Sequence, residues 1–184
     1  MGWVILATIV LLVIWIVGIY NGLVSARNGY KNAFAQIDVQ LTRRHDLIPN
    51  LVETVKGYLA HERGTLEAVV AARGAAMTAA QGAGLAERAV AEGQLTGALG
   101  RLLAVAEAYP ELRANQNFVA LQGELGNTED KIAYARQFFN SAVQSYNNAV
   151  QTLPTNLVAG VTGFRARDFY QASGDERGPV QVRF

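Results

Sequence analysis

The sequence predicts an all-α protein in which an N-terminal transmembrane helix continues into an antiparallel four-helix bundle with an extended C-terminal tail. Three observations predict this class: an uncharged apolar run opens the chain, apolar residues then recur at helical spacing, and only four prolines occur among 184 residues. The expected boundaries are residues 1–20 for the anchor, 21–153 for the bundle and 154–184 for the tail.

The anchor is predicted from an unbroken apolar run between Trp3 and Tyr20. A helix of this length rises roughly 27 Å, close to the thickness of a bilayer's hydrocarbon core, and aromatic residues at both ends suit its interfaces. The alternative is a cleaved signal peptide, because Val24-Ser25-Ala26 resembles a cleavage site. The run has no basic segment before it and exceeds the usual signal-peptide length, so an anchor is favoured.

The first bundle helix is predicted to continue from the anchor, since no breaker separates Tyr20 from Leu41. The charged sequence Arg43-Arg44-His45-Asp46 then interrupts its apolar stripe. Asp46 is a plausible N-cap for a second helix, with Pro49 in the first turn. This second helix is expected to run for about 52 Å before an uncharged Ala/Gly stretch.

The third and fourth helices have clear end signals. Tyr109-Pro110 is expected to stop the third helix, Asn115 to cap the fourth, and Pro154 to end it. In the tail, alternating apolar residues at 180, 182 and 184 predict a short strand. Heptad spacing predicts a buried stripe along the fourth helix, formed by Phe118, Leu121, Leu125, Thr128, Ile132, Ala135, Phe139, Ala142, Tyr146, Ala149 and Leu153.

Composition excludes several classes of function. The chain has no cysteine, which rules out disulfides, and its net charge of +1 argues against a nucleic-acid partner. The two histidines, His45 and His61, are far apart, and His61-Glu62 lacks the second histidine of a zinc-protease motif. No glycine-rich phosphate-binding pattern occurs. We therefore expect no enzymatic activity, no catalytic residue, no metal and no cofactor.

The densest charged segment, here called the basic cluster, consists of Arg43, Arg44, His45 and Asp46. It could bind an acidic partner or a lipid headgroup. The favoured alternative is a turn between helices, in which both arginines face the negative end of the first helix dipole and Asp46 caps the second helix. Asp38, Glu53 and Glu107 could be buried partners of these bases, although solvated positions suit them better.

A stripe of small residues along the first helix is expected to support self-association: Gly18, Gly22, Ala26, Gly29 and Ala33. The bulky residues of the same helix lie about 80° away around its axis. Small residues let helices approach closely, which matters most in a membrane, where packing drives association. The alternative is that the fourth helix packs against this stripe.

Two uncharged segments are expected to contact the membrane surface, since antiparallel helices would bring both to the near end of the bundle. The tip between the second and third helices contributes Met77 and Leu85. The segment after the fourth helix contributes Leu157 and Phe164. The alternative is an alanine-rich turn in a tilted bundle, without lipid contact.

Several motifs resemble the LemA family of bacterial membrane proteins. The longest is QIDVQLTRRHDLIPNLVETVKGY, from Gln36 to Tyr58. Phe138-Phe139 departs from the family, which more often has tyrosines there. The resemblance implies a membrane anchor with a helical bundle, no established enzymatic activity and, through a magnetosome-associated branch, a role in building membrane compartments. Further matches are Tyr20-Asn21-Gly22-Leu23-Val24, His61-Glu62, Ala106-Glu107-Ala108-Tyr109-Pro110, Ala133-Tyr134-Ala135-Arg136-Gln137 and Tyr146-Asn147.

Flanking charge predicts the orientation in the bacterial inner membrane. No Lys or Arg precedes the apolar run, whereas Arg27, Lys31, Arg43 and Arg44 follow it. The positive-inside rule then places the N-terminus outside and the bundle domain in the cytoplasm. We expect a self-assembling scaffold that shapes or organises this membrane, with the lipid bilayer and other copies of the chain as partners. The alternative is an anchored adaptor that recruits or regulates an unknown partner protein.

Overall fold

The computed structural model describes residues 1–59 and 61–170, which hold four long helices, two short helices and no strand. The all-α prediction is confirmed for this part of the chain. The strand expected near residues 180–184 lies outside the described residues. The helices are α1 (Gly2–Lys56), α2 (Arg63–Gly82), α3 (Leu85–Ala106), α4 (Pro110–Arg113), α5 (Gln116–Gln151) and α6 (Thr155–Thr162).

Helix α1 is longer than predicted, and the break expected at the basic cluster is wrong. The helix continues to Lys56 with Pro49 in its interior, so Asp46 is not an N-cap. A proline lacks the N–H that would bond the carbonyl four residues earlier, which here belongs to His45. The Arg73 guanidinium donates to that carbonyl instead, with 2.7 Å between Nε and O. Because the His45 carbonyl keeps a hydrogen-bond donor, the proline destabilises the helix less than it would if this carbonyl were left without a partner.

The chain divides into two compact units, and residues 1–38 with 133–169 form the first. In this unit α1 and α5 lie antiparallel. Phe34 packs against Phe139, and Tyr30 packs against Tyr146, with ring centroids 5.5 and 5.0 Å apart. Gln151, five residues beyond Tyr146, therefore lies about level with residue 25 of α1.

Residues 39–132 form most of the second unit. Helices α2 and α3 make a hairpin whose turn is Ala83 and Gly84, and the last turns of α1 pack into the same hydrophobic core. Ile48, Leu95 and Leu112 are fully buried there. The short helix α4 thus contributes to the core through Leu112 and also connects α3 to α5.

The predicted start of α5 is confirmed, whereas the helix ends at Gln151, three residues before Pro154. The Asn115 Oδ1 accepts hydrogen bonds from the backbone N–H groups of Asn117 and Phe118, at 2.9 and 3.2 Å, which makes Asn115 its N-cap. Helix α3 ends before Pro110, as expected. Of the eleven predicted stripe positions, ten are buried or half-buried. The exception is Leu153, which lies beyond the helix and is 74% exposed.

The segment after Pro154 is not extended throughout, because α6 occupies its first part. This helix ends at Thr162 and is capped by Gly163, whose φ of 77° is a left-handed conformation that glycine adopts without a Cβ clash. Residues 164–170 have no regular secondary structure, but Asn147 of α5 holds the backbone of Arg167. Its Nδ2 donates to the carbonyl of Arg167, and its Oδ1 accepts from the Arg167 N–H, both at 2.8 Å.

Candidate functional site

The first part of α1 exposes apolar side chains on all its sides. Its large hydrophobic residues between Trp3 and Val17 are 41–85% exposed, and the first buried residue is Leu23. Within the described residues, α1 is the one helix long and apolar enough to cross a membrane. Such a large apolar surface calls for a covering environment, and its length matches a bilayer.

Arg44 is a fully buried side chain, and acidic residues of α3 and α5 hold it in place. Its guanidinium pairs with Glu92 and Glu129 and donates to the Thr96 Oγ1 at 2.9 Å. The His45 Nε2 lies 3.0 Å from the second carboxylate oxygen of Glu92. Burial alone would raise the pKa of Glu92, but the His45 hydrogen bond and the Arg44 charge outweigh it and hold that pKa below its ordinary value.

Arg44 and Glu92 occupy core positions of their helices. On α3, Glu92 continues the three- and four-residue spacing of the buried residues Leu95, Leu99 and Leu102. The charge of Arg44 suggests the end of the apolar stripe, but the unbroken spacing is the signal that locates it in the core. The corresponding positions on α1 are Tyr30, Phe34, Ile37, Leu41, Arg44, Ile48, Leu51 and Val55.

The turn predicted for the basic cluster is therefore wrong, and its residues have separate roles. Arg43, half exposed, pairs with Glu124 on α5 at the surface, whereas Asp46 is exposed within α1. Glu53 and Glu107, considered as buried partners, are exposed. Because its two carboxylate partners already occupy the Arg44 guanidinium, the buried part of the cluster serves the fold rather than an acidic ligand.

The fold divides the stripe of small residues. Gly18, Gly22 and Gly29 are exposed, and a Cβ at any of them would meet nothing within 4 Å. At about 100° per residue, these glycines lie within about 40° of arc. Ala26 is half-buried and Ala33 is fully buried. Assigning Ala33 to an exposed contact face is therefore wrong, because it lies closer to the bulky stripe and packs in its own core.

The two membrane-surface candidates near α6 are placed differently. Leu157 is 67% exposed, whereas Phe164 is buried. The Phe164 ring lies edge-on to Tyr20, with centroids 5.8 Å apart, and the Arg27 guanidinium carbon lies 5.2 Å from its centre. Phe164 thus packs within its own chain rather than against lipid, and it fixes the end of α6 beside the end of the apolar run.

Met77 and Leu85 flank the turn between α2 and α3, where Met77 is exposed and Leu85 half-buried. Helix α2 has 20 residues and is about 30 Å long, not the expected 52 Å. The helix length on which the predicted membrane contact of Met77 and Leu85 depended is therefore wrong, and the contact itself stays a prediction.

Among residues 1–59 and 61–170, no group of three or more histidines and acidic residues could hold a metal ion. His61 and Glu62 lie in the connection between α1 and α2. That the protein uses no metal or cofactor remains a prediction.

An exposed apolar helix of membrane-spanning length, joined to packed helices, defines a membrane-associated α-helical protein. The chain belongs to the LemA family, whose sequence model matches residues 33–184. It is 25% identical over 166 residues to protein LemA of Metamycoplasma hominis, covering 90% of this chain and 75% of that protein.

Two further relatives are magnetosome proteins. The chain is 28% identical over 174 residues to magnetosome protein MamQ of Magnetospirillum gryphiswaldense, covering 82% of this chain and 64% of that protein. It is 36% identical over 81 residues to magnetosome protein MamQ 2 of Paramagnetospirillum magneticum, covering 44% and 30%. The chain therefore spans less than two thirds of the length of these magnetosome relatives.

Proposed function

We propose that the chain is a non-enzymatic, single-pass membrane scaffold that assembles with copies of itself and shapes or organises the bacterial inner membrane. The observation that carries this proposal is the continuity of α1. The helix passes from the exposed apolar run at Tyr20 to core residues as far as Val55 without a break. A flexible linker would let the domain turn freely, whereas a continuous helix restricts that motion. Contacts between neighbouring domains can then act on the bilayer.

The relatives favour a membrane role. Two of them are magnetosome proteins by name. In a membrane, confinement raises the effective concentration of the copies, so weak pairwise contacts suffice for an array.

The glycine face of α1 is the proposed contact between copies. Gly18, Gly22 and Gly29 leave an open, narrow face on which a second helix could approach closely. This face begins inside the apolar run and continues beyond Tyr20, so it includes lipid-covered and solvent-covered parts. A Cβ added at any of these glycines meets open space, so a substitution there begins without a clash inside the chain.

Substitution of Gly22 and Gly29 by leucine tests this contact. We expect the wild-type protein to form an oligomer in mild detergent and in nanodiscs, and the double variant to lose mass. The matched control replaces Gly123 and Gly126, which are exposed glycines of α5 with equally open surroundings. If both double variants keep the wild-type mass, the glycine face is not the interface, and a monomeric wild-type protein refutes the scaffold.

We also propose that the N-terminus lies outside and the domain in the cytoplasm, because basic residues follow the apolar run and none precedes it. A fluorescent or enzymatic reporter that works only in the cytoplasm should be active when fused after Phe184. Alkaline phosphatase activity in the corresponding fusion would reverse this orientation.

A cleft in the second unit favours an adaptor as the second candidate function. It has a volume of about 660 Å³ and lies between the end of α1 and α2. Its lining includes the apolar side chains of Val52 and Val70 and the charged side chains of Glu53, Arg63 and Glu67. This size and lining suit a ligand or a partner side chain. An adaptor would remain monomeric alone and gain mass only with a partner protein.

A further inference from the structure

Helix α6 has an apolar face that no described residue covers. Leu157 and Val161 are 67% and 88% exposed, and Leu153, four residues earlier, is 74% exposed. Val158 and Ala159 are buried, so α6 packs on its own unit through a different face. Its exposed side is therefore apolar where a helix on an aqueous surface would normally be polar.

The position of α6 explains what this face meets. Helix α5 runs antiparallel to α1 and ends at Gln151, about level with residue 25 of α1. Phe164, immediately after α6, contacts Tyr20, the last residue of the exposed apolar run. Helix α6 lies in the chain between the end of α5 and Phe164. It is therefore beside the part of α1, near residues 20–25, where the exposed apolar run ends and packed side chains begin.

We propose that α6 is a membrane-surface helix whose Leu157 and Val161 side chains enter the interfacial layer of the same bilayer that α1 spans. The charge distribution agrees with this occupant. No charged residue occurs between Arg136 and Arg165, so α6 brings no charge into the interfacial layer. Arg165 and Arg167 follow at exposed positions, and the Asn147 hydrogen bonds hold Arg167 against α5, where basic side chains can face lipid headgroups.

This inference rests on one part of the proposed function, the passage of α1 through a bilayer, and does not require self-association. The test uses the full chain in nanodiscs that hold one copy, with lipids brominated near the headgroup end of the acyl chains. Because the chain has no cysteine, Val161→Cys gives a single site for an environment-sensitive fluorophore. The matched control is Tyr134→Cys, which is 70% exposed on α5 and lies about 18 Å before Tyr146, on the side away from α6.

The intrinsic fluorescence reports separately on the anchor, since both tryptophans, Trp3 and Trp15, belong to the apolar run. We expect brominated lipid to quench the tryptophans and the label at residue 161, but not the label at residue 134. Quenched tryptophans with an unquenched label at residue 161 overturn the proposal for α6 alone. Unquenched tryptophans overturn the membrane span and the α6 proposal together. A label at residue 161 that is shielded from water only in discs holding several copies assigns this face to a second chain instead.

Discussion

Removing Arg44 should destabilise the protein far more than removing its neighbour Arg43. Arg44 and Glu92 have side-chain exposures of 0% and 2%, so Arg44→Met leaves a buried carboxylate with only His45 beside it. Breaking a buried ion pair in this way costs about 3–5 kcal/mol. For a chain of this length, each kcal/mol lowers Tm by about 2–4 °C, so we expect a loss of about 6–20 °C.

Two further variants separate the buried charge from the packing. Arg43→Met removes an exposed pair with Glu124 and should cost about 0–1 kcal/mol. The double variant Arg44→Met/Glu92→Leu removes both buried charges and fills similar volume, so it should recover most of the stability that Arg44→Met loses. Thermal unfolding of the full chain in detergent, followed by far-ultraviolet circular dichroism, measures all three. Equal Tm values for Arg43→Met and Arg44→Met would refute the assignment of Arg44 to a buried ion pair.

Three other predictions concern single contacts. The folded-state pKa of Glu92 is lowered, so the stability that this residue contributes is present above its ordinary pKa of 4.5. That stability is lost as the pH falls through the folded-state value. The Tm of Glu92→Gln should therefore vary less with pH in this acidic range than the Tm of the wild type. Arg73→Met should lower the free energy of unfolding by about 1–3 kcal/mol in the wild type but by less in Pro49→Ala, whose restored N–H can bond the His45 carbonyl; equal losses in a double-mutant cycle would contradict this. Asn115→Ala should lower the free energy of unfolding, measured by chemical denaturation, by about 1 kcal/mol. Asn115→Ser keeps a capping oxygen and should lose much less stability. Equal losses in the two variants would exclude side-chain capping.

Much of the fold was determined by the sequence alone, because the relevant signals are local. The uncharged run before Tyr20 predicts the exposed segment, and heptad spacing predicts the buried stripe of α5. Asn115 and Pro110 mark helix ends through hydrogen-bonding groups of their immediate neighbours. Each of these signals involves residues that are close to one another in the chain. They can therefore be recognised from the sequence without knowing which distant residues pack nearby.

Tertiary structure alone decided the features that depend on distant partners. The free energy of burying Arg44 depends on Glu92, 48 positions away, and without this carboxylate the arginine would favour water and end the apolar stripe. The helix passes through Pro49 while Arg73 supplies a donor from α2. Likewise, α6 remains beside α1 through the contact of Phe164 with Tyr20. A charged residue or a proline has an unfavourable local propensity wherever it occurs, but the partner that offsets this cost is brought near only when the chain has folded.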